Sequence, residues 1–306
     1  MTGNAMSHEP GGLDIRLLGS LSVSLNHRPV TPSAAKQRQI LALLALNAGR
    51  VATVSTLVEE LWGDHPPRSW PTTLQTYILQ LRNRLAAAAG APARDARRII
   101  ATRHGGYLLE APVCRSDVGE FKRLARDGRE VAEAGDHRGT SDLLGRALAL
   151  WSGPALVDVR TGRILELEAT SLEETRLGVL ERRLEADLAL GRHADVLGEL
   201  TKLTARNPMN ENFCGLLMTA LYRSGHAGRS LEAFQRLRTL LRNDLGIEPG
   251  PRLQRLQRAV LSGDPHLHTG PLPAPAADTR AGADRRGGVA RQRPPLPQHG
   301  RSVRAS

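Results

Sequence analysis

The sequence predicts a mainly α protein: a winged helix-turn-helix (α+β) domain followed by a tetratricopeptide-like all-α domain. Two patterns support this prediction. Within residues 1–112, short alternating apolar segments surround three helical segments. Beyond residue 113 the apolar residues follow helical spacing alone. There Gly191 and Gly225 lie 34 residues apart, the period of a tetratricopeptide repeat.

Four segments follow from these patterns. Residues 1–12 are polar and glycine-rich, and we expect them to be disordered. Residues 13–112 form the winged helix, and residues 113–264 form the helical domain as a separately folding unit. Residues 265–306 are rich in Pro, Gly and Arg, which predicts a disordered basic tail that a protease removes first.

The first domain opens with strands, because Leu21, Val23 and Leu25 alternate with serines. Side-chain caps are expected at Thr53 and Ser69, where the second and third helices begin. A Gly-Gly pair supplies the positive φ of a tight hairpin turn. The helices are predicted over residues 34–46, 53–61 and 69–89, and the hairpin over residues 98–109.

The third helix is the predicted recognition helix. Leu74, Ile78, Leu81 and Leu85 form one apolar stripe, so the opposite face is free to enter the major groove of DNA. Amide and guanidinium groups there can pair with base edges or phosphates, and threonine methyls can contact thymine. The predicted DNA-binding residues of this helix are Thr72, Thr76, Gln80, Arg82, Asn83 and Arg84.

The hairpin is the predicted wing, and Arg103 lies next to its Gly-Gly turn. An arginine at a wing tip can enter the minor groove, where the potential of DNA is most negative. A solvated surface charge is the alternative interpretation of Arg103.

Two of the helical repeats align through their turn glycines. Leu197 then corresponds to Leu231, Leu200 to Phe234, and Leu203 to Leu237. A third, looser copy begins at Gly135.

The charge distribution agrees with this division. The chain has 42 basic and 31 acidic residues, a net charge of +11. Residues 1–112 and 265–306 each carry about +5, and residues 113–264 are nearly neutral. A polyanionic partner is therefore expected at the ends of the chain, and a protein partner for the middle.

The sequence favours no enzymatic function. It contains no zinc-protease, nucleophile-elbow or phosphate-loop motif, so we predict no catalytic residue, no cofactor and no metal site. Cys114 and Cys214 are 100 residues apart, without metal-ligand spacing, which is typical of a reducing cytoplasm. The longest apolar run, 40–46, is too short to span a bilayer. We therefore expect a cytoplasmic, nucleoid-associated protein.

Three segments carry a resemblance to a known family. Residues 74–82, followed by the Gly-Gly-Tyr wing, look like the response-regulator type of winged helix. Residues 147–156 (ALALWSGPAL) resemble a bacterial transcriptional activator domain. Together with residues 244–251 (DLGIEPGP), they make the chain similar over residues 13–262 to the Streptomyces antibiotic regulatory proteins.

This resemblance implies an activator of a secondary-metabolite gene cluster that binds promoter direct repeats as a homodimer and recruits RNA polymerase. It also implies that the loop from Trp62 to Arg68, with Asp64 between them, contacts the polymerase. Leu79 and Gln80 stand where many relatives carry a basic residue facing the groove, so a different operator sequence is expected. The ATPase phosphate loop of larger relatives does not occur in this sequence.

One alternative comes from another functional class: a tetratricopeptide scaffold whose basic N-terminal module serves only for docking. Such a scaffold would bind DNA weakly and without sequence preference, and a gel shift on promoter DNA separates the two.

Overall fold

The structure is a computed structural model, and it describes residues 12–90, 95–110 and 114–269. Within these ranges, a small α+β part precedes a series of antiparallel helices, which confirms the predicted fold class. No helix in the described ranges is both long and apolar enough to cross a membrane.

The chain opens with a four-stranded sheet in the order β3-β2-β1-β7. The central strands β1 and β2 are antiparallel, with Ile15 opposite Val23. Both side chains are buried, as the alternating pattern predicts. The strands are β1 (Leu13–Arg16), β2 (Ser22–Leu25), β3 (Arg28–Pro29) and β7 (Cys114–Ser116).

Three helices and a second sheet complete the winged helix. The hairpin of β5 and β6 is the wing, and β4 pairs with β6 to give the order β4-β6-β5. The predicted helices and hairpin are therefore confirmed to within a few residues. The elements are α1 (Ala35–Leu46), α2 (Val54–Trp62), α3 (Trp70–Ala89), β4 (Val51–Thr53), β5 (Ile100–Arg103) and β6 (Gly106–Leu109).

The two predicted helix caps have different outcomes. The Thr53 hydroxyl accepts a hydrogen bond from the Thr56 backbone N at 3.1 Å, as expected. The prediction for Ser69 is wrong, since its side chain makes no capping hydrogen bond. Pro71, the second residue of α3, favours the start of this helix, because its ring fixes the helical φ and its missing N–H needs no partner in the first turn.

The remaining elements are helical. Three helical hairpins turn at Gly135, Gly191 and Gly225, each with φ near +80°. A π-helical turn (Leu241–Leu245) follows the third hairpin. The helices are α4 (Asp117–Glu133), α5 (His137–Ala149), α6 (Arg163–Ala189), α7 (His193–Arg206), α8 (Glu211–Arg223), α9 (Ala227–Leu240), α10 (Pro251–Ser262) and α11 (His266–Thr269).

The repeat alignment is visible in the core of the C-terminal helices. Leu200 and Phe234 occupy equivalent positions on α7 and α9, and both are buried with Leu237 in one apolar cluster. Leu197 and Leu203 pack against the edge of the same cluster. Five of the six predicted repeat positions therefore contribute to this cluster, whereas Leu231, the equivalent of Leu197, is half-buried and lies outside it.

A second apolar cluster crosses the expected domain boundary. It extends from Leu13 to Val179 without a break near residue 112. Strand β7 pairs in parallel with β1, and Asp117 accepts hydrogen bonds from the backbone N of Leu17 and Leu18 at 2.9 Å. The winged helix thus shares its core with the first two helices of the helical region and the start of α6.

The segment 147–156 is part of this junction. Trp151 packs edge-on against Phe121 with ring centroids 5.3 Å apart. The backbone N of Ser152 and Leu156 donate to the carbonyls of Leu18 and Leu17 at 2.8 and 2.9 Å. The motif that resembles an activator domain therefore fastens that domain to the first sheet.

The predicted disordered segments lie mostly outside the described residues. Of the segment 1–12, only residue 12 is described, and residues 270–306 of the tail fall outside as well. The prediction is wrong for His266–Thr269, which is helical as α11. Burial of Leu267 explains this order, since it packs against the C-terminal cluster and its carbonyl accepts from Arg223 Nε at 2.8 Å.

Candidate nucleic-acid interface

Helix α3 is held by one face and exposed on the other. Leu74, Ile78, Leu81 and Leu85 are each at most 2% exposed, in line with the predicted stripe. Leu79 on the opposite side is 55% exposed. The exposed positions of this face include Thr72, Gln75, Thr76, Leu79, Gln80, Asn83 and Arg84.

The exposed face is free of negative charge. None of the 20 residues of α3 is acidic. Other exposed arginines come from a 3₁₀ turn (Asp95–Arg98) and from the wing. A surface of this kind suits the phosphates that flank a DNA groove. These additional arginines are Arg97, Arg98 and Arg103.

Three of the predicted contact residues on α3, Thr76, Gln80 and Arg82, form hydrogen bonds within the protein. The Thr76 hydroxyl donates to the Thr72 carbonyl at 2.8 Å, so its methyl and its lone pairs remain available. The Gln80 Oε1 accepts a hydrogen bond from Gln37 Nε2 at 2.6 Å. The amide of Gln80 is therefore oriented by a residue of α1.

Arg82 is turned towards the wing. Its Nε and Nη2 donate to the Ile100 carbonyl at 3.0 and 2.7 Å, and Nη2 also donates to Thr102 Oγ1 at 2.9 Å. The guanidinium lies 5.9 Å from the ring centroid of Tyr107. Burial lowers the pKa of Arg82, and the positive charge of Arg97 lowers it further. These contacts join the recognition helix to both strands of the wing.

The wing tip is exposed, and its turn has the predicted geometry. Gly105 has φ +76°, and Arg103 immediately precedes the turn residues. Arg103 Nη2 lies 2.7 Å from Glu110 Oε1, in an ion pair whose arginine side chain is 52% exposed. An exposed ion pair contributes little to stability, so Arg103 can exchange this partner for a phosphate at small cost.

The loop between α2 and α3 has a buried end and an exposed middle. Trp62 packs against the apolar cluster, whereas residues 63–69 are exposed. Its backbone is tied by hydrogen bonds from His65 N to the Trp62 carbonyl and from Trp70 N to the Pro67 carbonyl. Asp64 and Arg68 project from this loop, so two of the three predicted loop residues are exposed and Trp62 anchors the loop.

Gln37 and Glu60 are two polar residues near the site that local sequence patterns do not predict as functional. Both are buried polar residues, 9% and 2% exposed. In both cases the sequence places a polar residue on an apolar helix face. Gln37 lies three residues before Ile40 on the buried side of α1, and Glu60 lies three after Leu57 on α2. A polar residue on an otherwise apolar stripe requires a partner, but its spacing does not say where that partner is.

Both cysteines are free thiols, with Cys214 buried and Cys114 half-buried. Burial, with the nearby charge of Asp14, raises the pKa of Cys114 to about 11. Burial raises the pKa of Cys214 to about 12. Across the described ranges, no group of three or more His, Cys, Asp or Glu side chains has a metal-binding arrangement.

Two family models match the chain. Residues 29–109 match "Transcriptional regulatory protein, C terminal", and residues 116–261 match "Bacterial transcriptional activator domain". The first range contains all three helices and the wing, and the second contains the helical hairpins.

Two curated Streptomyces relatives match along most of their length. Regulatory protein DnrI of Streptomyces peucetius is 49% identical over 269 residues, which cover 87% of this chain and 98% of the relative. Transcriptional regulator RedD of Streptomyces coelicolor is 37% identical over 257 residues, which cover 84% of this chain and 73% of the relative.

A solved structure has a similar fold. It is Mycobacterium tuberculosis EmbR in complex with a low affinity phosphopeptide, with a TM-score of 0.77 and 35% sequence identity. The match covers 83% of this chain and 66% of the solved one.

Proposed function

The chain belongs to the Streptomyces antibiotic regulatory protein family, whose members regulate transcription, and we propose that it is a sequence-specific DNA-binding activator of a secondary-metabolite gene cluster. The observation that carries the proposal is the exposed, acid-free face of α3 beside an arginine-bearing wing. This arrangement supports insertion of α3 into the major groove and of the wing into the minor groove.

Residues on the proposed recognition helix fall into groups according to the hydrogen-bond donors or methyl groups that they present to DNA. Gln80, Asn83 and Arg84 carry hydrogen-bond donors for base edges or phosphates. Thr72 and Thr76 carry methyl groups for thymine. Arg82 acts through the wing, because its donors are directed to Ile100 and Thr102. It positions Arg103, which contacts the minor groove or its phosphates.

The loop between α2 and α3 is the proposed contact with RNA polymerase. Trp62 holds it to the core, and Asp64 and Arg68 present opposite charges to the partner. None of the ion pairs within the described ranges involves either residue, which leaves both available for contacts with another protein.

The protein acts as a homodimer on direct repeats in promoter DNA. One winged helix makes too few base contacts to select a site in a genome, and two copies on adjacent repeats increase selectivity. A head-to-tail pair needs two different protein surfaces, which the nearly neutral helical region can provide. The shared core supports this, because it holds the helical region at a set angle to α3. The place of action is the nucleoid in the cytoplasm.

A gel shift with the full chain tests the proposal. The probe is the intergenic DNA adjacent to its gene, with shuffled DNA of equal composition as competitor. We expect specific binding at least a thousandfold tighter than binding to the competitor at physiological salt, which is the lower end for specific regulators. Footprinting then locates the repeats. Equal, weak binding to both DNAs would instead support a tetratricopeptide scaffold with a docking module.

A further inference from the structure

A buried glutamine of α1 sets the hydrogen-bonding character of an exposed glutamine on α3. Gln37 is 9% exposed, and its Nε2 donates to Gln80 Oε1 at 2.6 Å. Gln37 belongs to the first turn of α1 and is one of its buried residues. Gln80 is exposed on the recognition face. The contact therefore directs one end of the Gln80 amide into the protein and leaves the other end towards solvent.

The chemistry of the amide determines what remains available. Glutamine has one carbonyl acceptor and one NH₂ donor group. A bidentate contact to adenine needs both, since N6 donates and N7 accepts. With Oε1 used by Gln37, Gln80 presents its Nε2 donors to the groove. Guanine offers two acceptors, N7 and O6, and no major-groove donor.

We propose that Gln37 is a specificity-determining positioning residue that makes Gln80 a donor-only reader and selects guanine over adenine at one operator position. The inference rests on the proposed function, because it takes α3 to be the recognition helix. It extends that function from the mode of binding to the identity of a base.

The rest of the face is consistent with this assignment. Thr76 lies one turn before Gln80, and its hydroxyl proton is already donated to Thr72. Leu79 has no polar group. Gln80 is thus the donor nearest to the middle of the exposed face, with Asn83 and Arg84 towards the C-terminal end of α3.

Changing Gln37 provides a sharp test. In a Gln37→Glu variant, residue 37 can only accept, so Gln80 must donate inward and expose its Oε1. The preferred base should then be one with an exocyclic amine, adenine or cytosine. In a Gln37→Leu variant the amide is free to rotate, and the preference between guanine and adenine should fall to less than about twofold, because neither orientation is imposed.

The measurement uses the full chain on the footprinted operator. Gln80→Ala first identifies the base position that loses discrimination, and the four bases are then compared there for each variant. The wild-type chain should bind guanine at least about fivefold more tightly than adenine, the lower end for a bidentate contact. Gln75→Glu, at an exposed position of α3, is the charge-matched control and should change affinity without reordering the bases.

The outcomes separate the two proposals. Adenine preferred by the wild-type chain, or an unchanged base order in Gln37→Glu, overturns the role of Gln37. If circular dichroism shows that Gln37→Glu does not fold, Gln37→Leu decides the question. A retained preference for guanine over adenine in that variant overturns the role of Gln37, and a lost preference supports it. Absence of any specific binding by the wild-type chain overturns the proposed function itself.

Discussion

The carboxylate of Glu60 caps the helix that begins after Gly162. Glu60 Oε1 accepts a hydrogen bond from the Gly162 backbone N at 2.5 Å, and Oε2 accepts from the backbone N of Ile164 and Leu165 at 3.0 Å. The first N–H groups of a helix have no partner within it, and a negative charge there interacts favourably with the helix dipole. A residue of the helix-turn-helix thus completes the first turn of the 27-residue α6.

The Glu60 carboxylate is buried and has a further hydrogen-bond partner on α1. Glu60 is 2% exposed, and Gln39 Nε2 donates to its Oε1 at 3.2 Å. Nearby, Arg38 Nη2 lies 2.6 Å from Asp158 Oδ2, a second link between the two regions. The position of α2 relative to α6 is therefore fixed by the buried hydrogen bonds of Glu60, and the partly exposed Arg38–Asp158 ion pair adds a link from α1.

Replacing Glu60 with Gln should destabilise the protein by about 1–3 kcal/mol. The amide NH₂ would face a backbone N–H, which leaves a buried donor without an acceptor. Glu59→Gln is the matched control, because its only ion pair in the described ranges, to Arg163, is long (3.7 Å) and exposed. Thermal unfolding measures the difference, and equal melting temperatures for both variants would contradict the capping role.

Replacing Gly162 with Ala should also destabilise the chain, by about 1–3 kcal/mol, because a methyl group does not fit beside Glu60. A Cβ at this position would lie 2.2 Å from the Glu60 carbonyl O. Gly178, in the same helix, has open space around it, so Gly178→Ala should stabilise by about 0.5–1 kcal/mol. Opposite signs in chemical denaturation are expected, and a neutral Gly162→Ala would show that the junction is loosely packed.

Arg82 and Arg84 should differ in how they affect DNA binding. Arg82→Gln removes hydrogen bonds to the wing and should lower both stability, by about 1.5–3 kcal/mol, and DNA affinity. Arg84→Gln should leave the melting temperature unchanged, because its side chain is exposed, while still weakening DNA binding. If Arg84 contacts a phosphate, the slope of log affinity against log salt should fall by about 0.9. The same loss of stability in both variants would refute this division of roles.

The exposed loop residues should matter for transcription and not for DNA binding. Asp64→Ala combined with Arg68→Ala removes two side chains that project into solvent. Trp62 is left intact because it packs against the core. Gel shifts should be unchanged within about twofold, whereas transcription in vitro with purified RNA polymerase should be lost. Arg229→Ala, on an exposed position of α9, is the control and should retain both activities.

The two thiols should resist alkylation in the folded chain. At pH 8, pKa values of about 11 for Cys114 and about 12 for Cys214 leave far less thiolate than the ordinary value of 9.0 allows. Above pH 9, loss of the thiol proton favours the unfolded chain, so these groups contribute stability below that pH that is lost as the pH rises. Iodoacetamide labelling followed by mass spectrometry should be slow in buffer and fast in guanidinium chloride. Rapid labelling in buffer would show that the thiols are accessible.

Local pattern was sufficient for most elements of the fold. The apolar stripe of α3 and the alternation in β2 are visible within a few residues of sequence, because helices and strands place every third or fourth, or every second, side chain on one face. Strand β7 was not predicted. It has three residues, and its pairing with β1 joins segments about 100 residues apart, which local periodicity does not report.

For the candidate site, the exposed positions were predictable from local pattern, and the directions of its side chains were not. The exposed positions of α3 follow from its stripe, and Arg103 follows from the wing turn. The orientation of Arg82 towards Ile100 does not follow from helical spacing, because an arginine at the edge of a stripe can turn to either side. Only the position of the wing in the folded chain decides whether the Arg82 side chain turns towards the exposed face or towards the hairpin.

The sequence by itself therefore determined the class of protein, its two kinds of architecture and which face of α3 is exposed. Tertiary structure alone decided that the two regions share one core, that Glu60 binds the N-cap residue Gly162, 102 residues later, and that Gln37 meets Gln80. The physical reason is that a buried polar group must find a hydrogen-bond partner, and the chain can supply it from any distance in sequence. Periodicity shows which residues are buried, and only the packed fold shows what they meet.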